Sequence, residues 1–464
     1  MKPTPEIQIQ LRALPSVQEL LQHPQVQHLE IAAVPLTQIV KEELESLRKT
    51  ILAAKFTQHD SVQILVKNIC LRGNALLRPS LQRVVNASGI ILHTNMGRAP
   101  LADTAREAVM EATENYSNIE IDLSSGKRGN RQDHCEELLK LLTGAEAAMV
   151  VNNCAAATLL ALSAICRRKE VPVSRGELVE IGGSFRMPDV MKFSGAKMVE
   201  IGTTNKTHLQ DYAEAVNEKT AAILKVHYSN YRIVGFTKEV SIAELGELAQ
   251  QKQVPLIYDM GSGMLEDMQH LGYPYEPTAR EILDAGVDVL LFSGDKILGG
   301  SQSGIVVGKK RYINKLRKFH LARALRCDKM TLAALEATLR LYLQPEQLTH
   351  TLPVAQMLAL NVESLRSRAE NIVAQLVDCT VSVEVTEATS QIGSGAFPLE
   401  TLPSIALQLS GPLSPLKLQT KLRDSQVPII GYVQDDVLLL NLRTVRDDED
   451  ELILQALQSL LPKS

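Results

Sequence analysis

Three segments of this chain carry side chains able to hold an organic cofactor. AAMVV runs into NNCAAATLLAL, so Asn152, Asn153, Cys154 and Ala155 stand at a strand-to-helix turn. Free backbone N–H groups and the helix dipole suit a phosphate there, and the small alanines let it come close. VPLIYD places Asp259 at the end of a second strand, ahead of the flexible Gly261-Ser262-Gly263. VDVLLFSGDK places Lys296 just past a third, with Ser293 before it and Gly299-Gly300 after it. An amine, a carboxylate and a phosphate cradle are what pyridoxal 5'-phosphate (PLP) requires. The amine captures the aldehyde, and burial beside a cationic cofactor lowers its pKa. The carboxylate keeps the pyridine nitrogen protonated, so the ring accepts carbanion electrons. Taken alone, a lysine after a strand is usually a solvated surface residue and an aspartate there a turn or capping residue. Their joint placement at successive strand ends favours an enzyme.

The elements that must position these groups alternate between short apolar runs and helical stretches from about 76 to 340. AAMVV, KMVEIG, AAILKVH, VPLIYDM, VDVLLFS and SGIVVG read as strands, with helices such as ATLLALSAICRRK and SIAELGELAQQK between them. The pattern predicts an α/β fold, a mainly parallel sheet covered on both faces, with its site beyond the carboxyl ends of the strands. Residues 1–75 read as a small helical module, in which VPLTQIVKEELESLRKTILAAK is an amphipathic helix with Thr37 near its start. Residues 341–464 read as a separate α+β domain, opening on one helix (LPVAQMLALNVESLRSRAENIVAQL) and continuing into VSVEV and DVLLLNLRTV.

Composition sets the outer bounds. With 464 residues and 45% hydrophobic content, the chain buries a large core. No apolar run is long enough to span a bilayer and the first residues lack a secretion pattern, so a cytoplasmic protein without a membrane partner is expected. The six cysteines, at 70, 135, 154, 166, 327 and 379, show neither a metal-ligand spacing nor a paired framework. They read as plain buried thiols, with no metal. A net charge of −4 means that an anionic partner must be held by a local patch. Trp is absent and aromatics make up 4%, which argues against an aromatic base-stacking surface; no DNA partner is expected.

Longer motifs narrow the reading. The three sites together resemble the fold type I PLP enzymes, the aspartate-aminotransferase group. RVVNASGIILHTNMGRAPL (83–101), IDLSSGKRGNRQDHCEELLKLLTGAEAAMVVNNCAAATLLAL (121–162) and SRGELVEIGGSFRMPDVM (174–191) resemble the bacterial selenocysteine synthases, the L-seryl-tRNA(Sec) selenium transferases. KVHYSNYRIVGFT (225–237), FSGDKILGGSQSGIVVGKK (292–310), HLARALRCDKMTLAALEATLRLY (320–342) and VPIIGYVQDDVLLLNLRTV (427–445) continue the resemblance in order along nearly the whole chain. Cys154 departs from an expected third asparagine, Ser301 from a proline and Tyr432 from an arginine.

The resemblance implies conversion of seryl-tRNA(Sec) to selenocysteinyl-tRNA(Sec). The serine hydroxyl is eliminated to an aminoacrylyl intermediate, to which selenium from selenophosphate adds. It makes Lys296 both cofactor anchor and general base. It points to Arg98, Arg323 and Arg326 as the grip on selenophosphate, the last two sharing one helical face if that segment is a helix. The basic residues just upstream, Lys309 to Lys318, read as a solvated face, with tRNA phosphate contact as the alternative. His227 either lies against the cofactor ring or is a satisfied core histidine, and Arg443 reads as structural. The family also implies a homodecamer, a ring of dimers, with the N-terminal module gripping the tRNA in trans. Two rivals stand beside this reading: a PLP lyase acting on a free small molecule, and a tRNA-binding protein without catalysis.

Overall fold

In the helix Ala33–Leu52, Leu36, Ile39, Val40, Leu44, Leu47 and Ile51 recur every three or four residues and are buried. They pack with Leu65, Val66 and Ile69 of the helix Ser61–Leu77 in one apolar cluster. Thr37 lies just past the first turn of its helix, where its hydroxyl donates to the Ala33 carbonyl at 2.7 Å. Three shorter helices precede this pair, Pro5–Arg12, Val17–Gln22 and Pro24–Gln27. The second is closed by a reciprocal Ser16/Glu19 capping box and the third starts on a proline. These elements belong to a compact unit, Met1–Arg83, and the rest of the chain, Val84–Ser464, forms a second. The structure, a computed structural model, describes residues 4–53, 55–56, 60–183, 185–228, 231–376, 381–393 and 400–460.

The second unit is built on a five-stranded sheet. Its spatial order is Ala147–Val151, Gly304–Gly308, Val289–Ser293, Leu256–Gly261 and Ile223–Val226. The last three run parallel, while Gly304–Gly308 is antiparallel to both of its neighbours. All six expected strand runs form strands. Along them the apolar side chains alternate between two layers, since successive residues point to opposite faces. Met149, Ile257, Leu291 and Val306 pack with Ala157 and Leu160 of the helix Cys154–Ile165. Val150, Tyr258, Leu290 and Ile305 pack with Leu139, Leu245 and Leu335 from three helices on the other side. Both faces are therefore covered, which leaves the strand ends open for chemistry.

The C-terminal region departs from the sequence expectation in two ways. Its single expected helix is two, Pro353–Ala359 and Val362–Ala374, because Asn361 caps the second by accepting from Ser364 N at 2.7 Å. Its sheet also recruits an earlier segment. The order is Tyr432–Gln434, Val437–Asn441, Thr401–Ser410, Ser382–Gly393 and Ile90–Leu92, and Val85–Asn86 pairs with Ile429–Ile430. Buried Asn441 welds the join: its side chain accepts from Ser390 and Ser404 at 3.0 and 2.7 Å, and its backbone N–H donates to Ala87. The strands Val85–Asn86 and Ile90–Leu92, grouped by pattern with the catalytic segment, thus pair with C-terminal strands, the second within the five-stranded sheet. Buried Arg443 donates to the carbonyls of Met357, Leu358, Leu360 and Pro403, an internal staple. No described helix is long and apolar enough to cross a membrane. Cys135, Cys166 and Cys327 are buried and Cys70 and Cys154 partly so, all unpaired; Cys379 lies outside the described residues.

Candidate active site

At the strand ends a cavity of about 290 Å³ is lined by Arg98, Asn153, Cys154, Ala155, His227, Asp259, Ser293 and Lys296. Eight of the residues marked from the sequence therefore meet in one place. Val179, Phe185 and Met187 wall it with apolar surface.

Each polar group arrives on its own element. The strand Leu256–Gly261 delivers Asp259, which is buried. One carboxylate oxygen accepts from the Thr158 hydroxyl at 2.8 Å and the other from the Cys154 thiol at 3.5 Å. Burial raises the Asp259 pKa, opposed by these bonds and by Lys296. Thr158 was not marked from the sequence. It lies one helical turn beyond Cys154, so the spacing of four residues was the available signal. Asn153 caps the helix Cys154–Ile165 by accepting from Ala156 N at 2.8 Å. The next N–H groups, of Cys154 and Ala155, have no backbone partner within the helix. Gly304 is required beside this turn, since a Cβ there would stand 2.0 Å from the Asn153 carbonyl oxygen. Asn152 does not line the cavity; its backbone N–H ties the strand end to Leu325 O at 3.0 Å.

Lys296 sits in a tight loop. Gly294 and Gly300 close it by a backbone bond of 2.8 Å, and the N–H of Ile297 donates to Ser262 O. Ser301, the departure next to the double glycine, ties the loop onward by donating to Thr331 O at 2.8 Å. The lysine is buried, and desolvation lowers the pKa of its amine, with Arg98 adding to the effect. Arg98 has a left-handed backbone, φ 63°, a strained conformation for a residue with a side chain. Its guanidinium meets Asp295 at 2.8 Å. Asp295, adjacent to Lys296 in sequence, was also not marked. His227 extends the strand next to Asp259, its backbone N–H donating to Asp259 O. Burial, together with the charges of Lys296 and Lys225, pushes its ring down to about 4, so it is neutral at neutral pH.

Arg323 and Arg326 lie elsewhere in the chain. They line a cleft of about 410 Å³ with Glu120, Arg128, Arg131 and Arg317. The expected shared helical face does not form. The helix stops at Ala324, and Leu325 is held by Asn152 N, leaving Arg326 beyond the last turn. Arg326 pairs with Glu120 at 3.1 Å, as do Arg131 at 2.6 Å and Arg128 at 3.2 Å.

The profile of the L-seryl-tRNA selenium transferase family matches residues 84–446. The chain belongs to this family. It is 44% identical over 458 residues to the L-seryl-tRNA(Sec) selenium transferase of Alkaliphilus oremlandii, covering 97% of this chain and 98% of that one. It is 45% identical over 444 residues to the enzyme of the same name from Carboxydothermus hydrogenoformans, covering 95% of each. Among solved structures, a D-glucosaminate-6-phosphate ammonia-lyase superposes with a TM-score of 0.59 at 21% identity, covering 82% of this chain and 96% of that one. At that identity the likeness speaks for fold alone: the aspartate-aminotransferase-like, fold type I architecture expected from the sequence.

Proposed function

We propose that this enzyme converts seryl-tRNA(Sec) to selenocysteinyl-tRNA(Sec) in the cytoplasm, with PLP held on Lys296 and selenophosphate as selenium donor. The reading rests on one observation above all: a buried amine and a buried carboxylate share one cavity in a chain of this family. The donor set fits PLP. Lys296 matches its aldehyde, Asp259 its pyridine nitrogen, and the N–H groups of Cys154 and Ala155 with the Ser293 hydroxyl its phosphate. When bound, PLP supplies an electron sink for the serine α-carbon, so that the β-hydroxyl can leave and selenium can take its place.

The chain's own residues then have separable tasks. The Lys296 amine, its proton affinity lowered by burial, takes the α-proton and gives it back. Thr158 and Cys154 orient the two oxygens of Asp259. Val179, Phe185 and Met187 keep water from the reacting carbon. Arg98, aimed by Asp295, presents a planar donor pair to the selenophosphate oxygens. Arg323 and Arg326, set apart from Lys296 in their own chain, act in a neighbouring subunit's site, in a homodecamer built as a ring of dimers. The helices before Arg83 hold the tRNA. Supplying radiolabelled serine on selenocysteine tRNA and on ordinary serine tRNA, each with selenophosphate, tests this directly. Labelled selenocysteine on the first alone is the expected result. No product on either, from a yellow protein, would leave a lyase of free small molecules as the better reading.

A further inference from the structure

Behind the Lys296 loop lies a carboxyl group that the reaction as described does not use. Glu276 is buried, on the segment leading into the helix Ala279–Asp284. Its two oxygens accept from the hydroxyls of Ser262 and Tyr273, the latter at 3.1 Å. Ser262 is itself part of the lysine's support. Its carbonyl accepts from the N–H of Ile297 at 3.2 Å, the residue after Lys296. Gly261, immediately before it, takes a left-handed φ of 75° that brings the backbone close under the amine, so that a Cβ there would stand 3.5 Å from Nζ. A continuous path thus runs from the Glu276 carboxyl through Ser262 to the lysine loop.

We propose that Glu276 is a positioning residue that sets the proton affinity of the Lys296 amine through Ser262 and through its own charge. Negative charge behind the loop favours the ammonium form of Lys296, and protonation of Glu276 releases the amine as a base. The other groups facing the lysine are Arg98, Cys154, His227, Asp259 and Asp295; those facing Glu276 are Tyr258 and Tyr273. Burial raises the Glu276 pKa to about 7, against the pull of its two hydroxyl partners and of Lys296. Its charge therefore changes in the range where the enzyme must work.

This inference rests on Lys296 being the working amine, and the experiment separates the two. In full-length protein stripped of cofactor, the pH dependence of Lys296 acetylation, read by peptide mass spectrometry, gives the ionisation midpoint of the amine. The pH dependence of the visible spectrum after PLP is restored gives a second readout. Glu276→Gln keeps the shape and removes the charge, so the acetylation midpoint should fall by roughly half a pH unit or more, with the spectrum shifting too. Ser262→Ala, which leaves the carboxyl protonated to higher pH, should move the midpoint the same way by less. An unchanged midpoint in both variants overturns the proposal. So does a shift in Ser262→Ala alone, which would reduce the effect to loop packing. If borohydride fails to fix PLP on Lys296 in the parent protein, the assignment of the amine fails first.

Discussion

In the Lys296 cavity, Asp259 and Lys296 are buried and His227 partly so, and the Asp259 carboxylate is held by two fixed donors. In the arginine cleft, one partly exposed carboxylate, Glu120, draws three guanidiniums at once. The consequences for protonation run in opposite directions. Burial raises the Asp259 pKa and lowers those of Lys296 and His227, so the charged forms are disfavoured. Hydrogen bonds from Arg131 hold the Glu120 carboxyl below the usual range. A buried group cannot exchange its partner without leaving a desolvated charge behind. A screened surface cluster exchanges partners cheaply. The cavity is thus suited to hold one cofactor in one pose, and the cleft to trade a carboxylate for an incoming anion.

The sharpest way to break the cavity is Lys296→Ala. On the proposed role of Lys296 as anchor and base, it should abolish the PLP adduct trapped by borohydride and cut turnover by a factor on the order of 10³ or more. Asp259→Asn should retain the adduct yet slow turnover by roughly 10²-fold, the scale of losing one preorganised charge at the reacting centre. Single-turnover kinetics distinguish that from weakened cofactor binding.

His227 gives a pH test. Its folded-state value of about 4 lies below the ordinary 6.5 of a free imidazole, so the unfolded chain binds the proton first. The stability it contributes is full above 6.5 and is lost as pH falls toward 4, by about 3 kcal/mol in all. Denaturant titrations of His227→Gln should show a flatter acid limb across that window. A slope equal to the parent's would place the acid sensitivity elsewhere.

Thr158→Val should cost about 1–3 kcal/mol of unfolding free energy, because a buried carboxylate oxygen loses its donor. In the cleft the effects should be smaller and opposed. Glu120→Gln should tighten phosphate binding and Arg326→Ala should weaken it, each by roughly threefold, within the span of exposed ion pairs. Calorimetry at low and high salt reads both. Equal losses in the two variants would mean that Glu120 builds the cleft rather than fills it.

The strands and their covering helices were legible because both faces of the sheet are buried, so every strand is an apolar run ended by a polar or glycine residue. Asp259, Lys296 and the Asn153 turn were legible for the same reason: sheet topology forces strand ends to one edge. Thr158 and Asp295 were missed because they meet Asp259 and Arg98 only through folding, and the four-residue spacing of Thr158 from Cys154 was the one local sign. The break at Asn361 was hidden by an apolar period that carries on across it. The recruitment of residues 85–92 was hidden because sheet partnership leaves no mark in a short strand's own residues.

What the sequence by itself determined is therefore the alternation of elements, the placement of an amine, a carboxylate and a helix start at the strand ends and, through its long motifs, the family. What only the tertiary structure decided is which groups share a cavity. Arg98 reaches it through a left-handed backbone and Asp295, while Arg323 and Arg326 line a different cleft, where Arg326 pairs with Glu120. Local patterning records which face of an element is buried, because that is a property of each residue's own hydration. Side-chain convergence is a property of distances between elements, and those exist only once the core has closed.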